Sequence, residues 1–195
     1  MTDPSLCRHF GTCGGCATQD QPLAQTHEAK RQHLQKALAR HGIECDLPPV
    51  IDAHGAGRRR ATFNMRRGEP APIVGFSERA SHAIVNLTEC RVLEPGLWAK
   101  VEAIRALAEV FLRKAQSIRA LATLTQSGVD LDVIGYPGGA NALNADMRAK
   151  LAQRAAELDF ARLSIGGEPI AALHPPRLRM GPAIVSPPPG AFLQP

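Results

Sequence analysis

Apolar and polar positions alternate most cleanly over residues 58–67, where period two puts Ala61, Phe63 and Met65 on one face and Arg58, Arg60, Thr62, Asn64 and Arg66 on the other. This predicts a strand with one core face and one strongly basic face. Ile73 to Phe76 and Ala83 to Leu87 read as further strands, separated by turn residues. Over residues 96–115 the period changes, because Leu97, Val101, Ile104, Leu107 and Phe111 recur at spacings of three and four, which predicts a helix lying across a sheet. Ile118 to Thr125 and Val129 to Ile134 alternate again around Ser127-Gly128, the pattern of a β-hairpin, with Asp130 and Asp132 facing water.

Asn144 is placed to cap a helix running to Leu158 with Met147, Leu151 and Ala155 on its inner stripe, and Phe160 to Ile165 and Ile170 to Leu173 follow as short strands. Ahead of these elements, Pro22 to His41 reads as a helix that starts at a proline and stops at Gly42. Its apolar cluster is only Leu34, Ala37 and Leu38, while Lys30, Arg31, Lys36 and Arg40 make it basic, so a solvated helix is expected. Residues 46–57 are a connector rich in proline and glycine. The proline run Ser186 to Gly190 leads to Phe192-Leu193-Gln194, a tail for which the pattern offers nothing to pair with or pack on.

Composition narrows the class. Of 195 residues 44% are hydrophobic and 21% charged, the range of a soluble globular protein, but only 4% are aromatic, so the core must rest on Leu, Ile, Val and Ala. A base-stacking surface of several aromatics is not expected. A net charge of +5 favours a polyanionic partner. No apolar run is long enough to span a membrane, and Met1-Thr2-Asp3-Pro4 has neither a basic nor an apolar leader region, so a cytoplasmic protein is expected.

The cysteines carry the chemistry. Three of the five, Cys7, Cys13 and Cys16, fall within ten residues, and Gly14-Gly15 between the last two lets the backbone fold tightly round a metal centre and aim N–H groups at its sulfurs. A disulfide framework fits this clustering poorly. Cys90, at the start of a turn, and Cys45, between Glu44 and Asp46, compete for the fourth ligand position, and the two carboxylates count against Cys45. Structural zinc is the rival to an iron–sulfur cluster, although zinc sites usually pair two short Cys-Cys knuckles and only one is present. His9, inside the loop, is the one histidine placed to substitute as a ligand.

Cys7-x5-Cys13-Gly14-Gly15-Cys16-x2-Gln19, followed by the arginine-rich strand, Gly75-Phe76, and Leu87-x2-Cys90-x-Val92-Leu93-x-Pro95, resembles the 23S rRNA (uracil-5-)methyltransferase family. The match continues to Phe192-Leu193-Gln194, and it is specific in the two cysteine segments and loose between them. The resemblance implies a [4Fe–4S] cluster held by Cys7, Cys13, Cys16 and Cys90, and a Phe-x-Gln segment, Phe192 and Gln194, that helps hold an extruded uridine. It also implies an S-adenosylmethionine-binding domain that this chain lacks. The family's cysteine nucleophile and its base are likewise missing, so no catalytic residue is expected here and the chain alone should be inactive. Many family members begin with a β-barrel RNA-binding domain that this chain also lacks, which shifts RNA contact to Arg58, Arg60 and Arg66.

The expected architecture is α+β: a mostly antiparallel sheet with helices on one side and an iron–sulfur loop at residues 1–20, pinned to the sheet through Cys90. A basic helix would occupy 21–45, an RNA-contacting domain 46–185, and the start of the absent Rossmann-like methyltransferase domain 186–195. The expected partner is RNA, of the ribosomal type, and the expected state is a monomer off the membrane. The competing reading is a stand-alone zinc-binding RNA module, and an electron-transfer protein is a third.

Overall fold

The computed structural model describes residues 6–52 and 57–192. Seven strands form one sheet in the order β3-β2-β1-β4-β5-β6-β7. These are β1 (Arg60–Arg66), β2 (Ile73–Ser77), β3 (Ile84–Asn86), β4 (Ser117–Thr125), β5 (Gly128–Ile134), β6 (Phe160–Ile165) and β7 (Glu168–Ala172). Every neighbouring pair is antiparallel except β5 and β6, which run parallel because α4 (Ala145–Glu157) connects them. The α+β reading therefore holds, with one parallel step in the sheet.

One face of the sheet is the core. Ala61, Phe63 and Met65 of β1 are buried as the alternation predicts, and Phe63 stacks on Phe76 of β2 with centroids 5.4 Å apart. Helices α2 (Pro95–Trp98), α3 (Val101–Phe111) and α4 cover this face, burying Leu97, Val101, Ile104, Leu107 and Phe111 from the first two and Leu151 and Ala155 from the third. The single helix expected over 96–115 is broken at Ala99-Lys100. There the Lys100 ammonium turns away to donate to the carbonyls of Leu158 and Asp159, at 3.1 and 2.9 Å, and so caps the end of α4. At the other end of α4, Asn144 Oδ1 accepts the Met147 N–H at 2.9 Å, as its position predicts.

Helix α1 (Leu23–Ala39) buries none of its side chains, in keeping with its narrow apolar cluster. Two expectations fail on the far side of the sheet. Asp130 and Asp132 do not face water: each is only 5% exposed. Nor is the C-terminal segment without a packing partner. After a hairpin of β8 (Leu178–Met180) and β9 (Ala183–Val185), which the sequence pattern did not show, the proline run turns back and lies on the polar face of β5 and β6. The alternation in β5 was right, but it does not say what covers the polar side. Among the described residues no helix is long and apolar enough to cross a membrane.

Candidate functional site

The cysteine loop is built as a series of tight turns, with Phe10 N–H donating to the Cys7 carbonyl and Cys13 N–H to that of His9, both at 2.8 Å. It docks on the end of β2: Gly14 N–H donates to the Ser77 carbonyl at 2.8 Å and Arg79 N–H to that of Thr12 at 3.0 Å. Glycine is required at position 14, where a Cβ would stand 2.9 Å from the Ser77 carbonyl oxygen. At position 15 a Cβ would press on the Phe76 ring at 3.0 Å, and the Gly15 N–H points at Cys13 Sγ at 3.4 Å.

The turn after β3 closes the site from the other side. Thr88 N–H donates to His9 Nε2 at 3.1 Å, and Glu89 accepts the Arg8 N–H, which is the main reason its carboxyl lies below the ordinary range. Cys7, Cys13, Cys16 and Cys90 thereby line one cavity of about 530 Å³. All are free thiols, two buried and two half-buried. Burial is the first cause that raises the Cys7 and Cys16 thiols above their usual value, and for Cys16 the negative charge of the other three cysteines follows. Several thiolates in one cavity are mutually unfavourable unless a cationic centre offsets them, and this donor set, with glycine backbone close to it, fits an iron–sulfur cluster. Among the described residues no group of three or more His, Cys, Asp or Glu side chains is arranged to hold a single metal ion. Cys45 is exposed and lines a different groove at the end of α1, whereas His9 is on the cysteine cavity but bonded to Thr88.

The basic row separates into three places. Arg58 precedes β1 and belongs to the cysteine cavity, donating to the Gly15 carbonyl at 3.3 Å. Arg60 carries the Phe192 ring 5.4 Å from its guanidinium carbon, and 72% of Phe192 is exposed. Arg66 lies at the opposite end of β1, where it joins Arg119 of β4 and His82 around an open depression of about 470 Å³. Gln194 falls outside the described residues. Arg119 was missed from the sequence, although its place between the apolar Ile118 and Ala120 already puts it on the polar face; only the pairing of β1 with β4, which sets it opposite Asn64, was lacking.

No protein-family model matches the chain. Among curated proteins it is similar to one from Caulobacter vibrioides named "uncharacterized RNA methyltransferase", 38% identical over 191 residues, which is 96% of this chain and 46% of the relative. A Brucella suis protein of the same description is 35% identical over 188 residues, 96% of this chain and 44% of its own. The 23S rRNA (uracil(1939)-C(5))-methyltransferase RlmD of Halomonas elongata is 39% identical over 108 residues, 53% of this chain and 22% of the relative. The chain spans somewhat less than half the length of the first two.

Proposed function

We propose, from a chain that belongs to the RNA methyltransferase family as its N-terminal and central part, that it is the cluster-bearing, RNA-contacting portion of an RNA (uracil-5-)methyltransferase of the 23S rRNA type. The observation that carries this reading is the convergence of Cys7, Cys13, Cys16 and Cys90, from two separate segments, on one cavity at the edge of the sheet. These four would hold a [4Fe–4S] cluster, which supplies a cationic core that relieves the thiolates' repulsion and ties the N-terminal loop to the turn after β3. Only one short Cys-Cys knuckle, Cys13-Gly14-Gly15-Cys16, is present, which favours a cluster over the zinc alternative.

On the polar face the chain's own residues bind and orient RNA. Arg66 and Arg119 face solvent at one end and suit phosphate oxygens. At the other end Phe192, backed by Arg60, offers an open ring face on which an unstacked base can lie. Methyl transfer from S-adenosylmethionine belongs, in this reading, to residues outside this chain, and the chain alone is inactive.

Anaerobic purification tests the reading. The expected product is brown, with about four irons and about four acid-labile sulfides per chain. Cys90→Ser should lose the iron and Cys45→Ser should keep it. A colourless protein holding one zinc overturns the cluster, and iron loss only in Cys45→Ser overturns the ligand set. For RNA, replacing Arg58, Arg60 and Arg66 together should flatten the dependence of affinity on salt, and an unchanged slope removes RNA from this face.

A further inference from the structure

A buried ionic network on the polar face of the central strands belongs neither to the cysteine cavity nor to the exposed arginines. Arg162 of β6 holds Asp130 of β5 through two hydrogen bonds, Nε to Oδ1 at 2.8 Å and Nη2 to Oδ2 at 2.7 Å, with both side chains almost wholly buried. The same Nη2 donates at 2.9 Å to the carbonyl of Pro187, itself buried. One pleat along β5, Asp132 accepts the Gly167 N–H at 3.0 Å and supports Gly190, whose φ is +69° and where a Cβ would stand 2.9 Å from Asp132 Oδ2. Ser164, paired with Asp132 across the strands, is also buried, and its hydroxyl has no partner in the described structure.

The chemistry of the covering segment explains why charges are used here. Pro187, Pro188 and Pro189 have no N–H, so this stretch cannot join the sheet as a strand and its carbonyls are the only backbone handles it offers. A donor from the sheet must reach up to one of them, and Arg162, fixed by Asp130, is that donor. An ion pair buried in this way adds little stability compared with apolar packing, which points to a role in placing a segment. Two residues beyond Gly190, Phe192 meets Arg60, and Arg60 lies on the same cross-strand row as Thr123, Asp130 and Arg162. The anchored segment and the aromatic contact are thus mounted on one rigid row of four strands.

We infer that Arg162, oriented by Asp130 and helped by Asp132, is a positioning residue that fixes residues 187–190 on the sheet and thereby sets the Phe192 ring over Arg60, open on its outer side to a flat pyrimidine base. The identity of the base rests on the RNA reading above; the positioning rests on the geometry alone.

The test therefore begins without RNA. Arg60 Nε is buried, which shields its N–H from solvent and lets it be followed by NMR in the ¹⁵N-labelled chain, and the ring above it should displace its resonance. Phe192→Leu should remove that displacement. Arg162→Met should remove it as fully while the rest of the spectrum stays dispersed, and Arg162→Lys should restore part of it. A resonance unmoved in Arg162→Met overturns the inference. Should Arg162→Met fail to fold, Gly190→Ala decides: it leaves the ion pair intact and displaces the segment at Asp132, and an unmoved resonance there overturns the inference equally. A second arm titrates a uridine-containing oligonucleotide, for which Arg162→Met and Phe192→Leu should weaken binding by similar factors. If the resonances move as stated and the wild type binds no RNA, the RNA reading fails and the positioning stands.

Discussion

Breaking the Asp130–Arg162 pair should be among the most damaging single changes outside the apolar core. The two side chains are 6% and 10% exposed, so removing either leaves a charge without its partner and out of reach of full hydration. Such a charge typically costs about 3–5 kcal/mol. The two single variants should not be equal. Arg162→Met strands the Asp130 carboxylate and also removes the donor to Pro187, a further loss of about 1 kcal/mol, whereas Asp130→Ala leaves Arg162 bonded to that carbonyl. Against a total stability of about 5–15 kcal/mol, either change is a large fraction. The double variant Asp130→Leu/Arg162→Met, which removes both charges and keeps most of the volume, should cost far less than the sum of the two.

Equilibrium urea unfolding of the four proteins reads this directly. With a slope of roughly 2 kcal/mol per molar, each single variant should move the midpoint down by about 2 M, and the double variant should recover most of it. If both singles fall within about 0.5 kcal/mol of wild type, the pair is screened by solvent and the segment over it is not a true cover. If the double costs as much as the two singles together, the residues act independently and the proposed anchoring has no energetic basis.

Two further changes test the surroundings. Burial is the first cause that raises the Asp132 carboxyl above its ordinary value, against the lowering effect of the Gly167 N–H, so the folded state holds this proton more tightly than the unfolded one. That contribution is fully present below the unfolded value of about 3.9 and is lost as pH rises through the raised folded value. Asp132→Asn should therefore be more stable than wild type near neutral pH and lose the advantage as the pH falls through the raised folded value, with none left below about 4; a difference in urea midpoint that does not change with pH refutes this. In the cysteine loop, Gly14→Ala meets a backbone oxygen at 2.9 Å and Gly15→Ala only a ring edge at 3.0 Å, so the first should lose more bound iron on purification than the second. Equal retention would mean that the loop's seat on β2 does not govern the site.

What the sequence made legible follows from where the determining contacts lie. The strand at 60–66, the hairpin at Ser127-Gly128 and the Asn144 cap are set by neighbours within a few residues, and each is found where the pattern puts it. The break between α2 and α3 was hidden because the apolar spacing runs straight through it. At the break Lys100 reaches to the end of α4, a partner far along the chain. Asp130 and Asp132 show the same limit: alternation gives the face, but only the returning proline segment makes that face buried. For the cysteines, spacing gathered Cys7, Cys13 and Cys16 and left Cys45 and Cys90 in competition. It is the path of β3 that brings Cys90 to the shared cavity and α1 that carries Cys45 away from it.

The two sides of the sheet divide the work in a way that accounts for the low aromatic content. The main apolar cluster lies on the helix-covered face, where Phe63, Phe76, Phe111 and Tyr136 are joined in two aromatic pairs inside a largely aliphatic core. The other face carries mostly polar and charged side chains, so the segment that lies on it finds little apolar surface to bury. Charges take over that task, Arg162 and Asp130 at one end of the row and Arg60 at the other. The cysteine loop meets the same constraint at the sheet edge. It is short and glycine-rich, and besides Cys7 and Cys13 none of its described residues from 6 to 16 is buried, so hydrogen bonds hold it, to Ser77 and Arg79 at the end of β2 and to Thr88 and Glu89 after β3. The proposed metal centre would act there as the covalent counterpart of the ion pair on the polar face, each fixing a segment that has little apolar surface of its own.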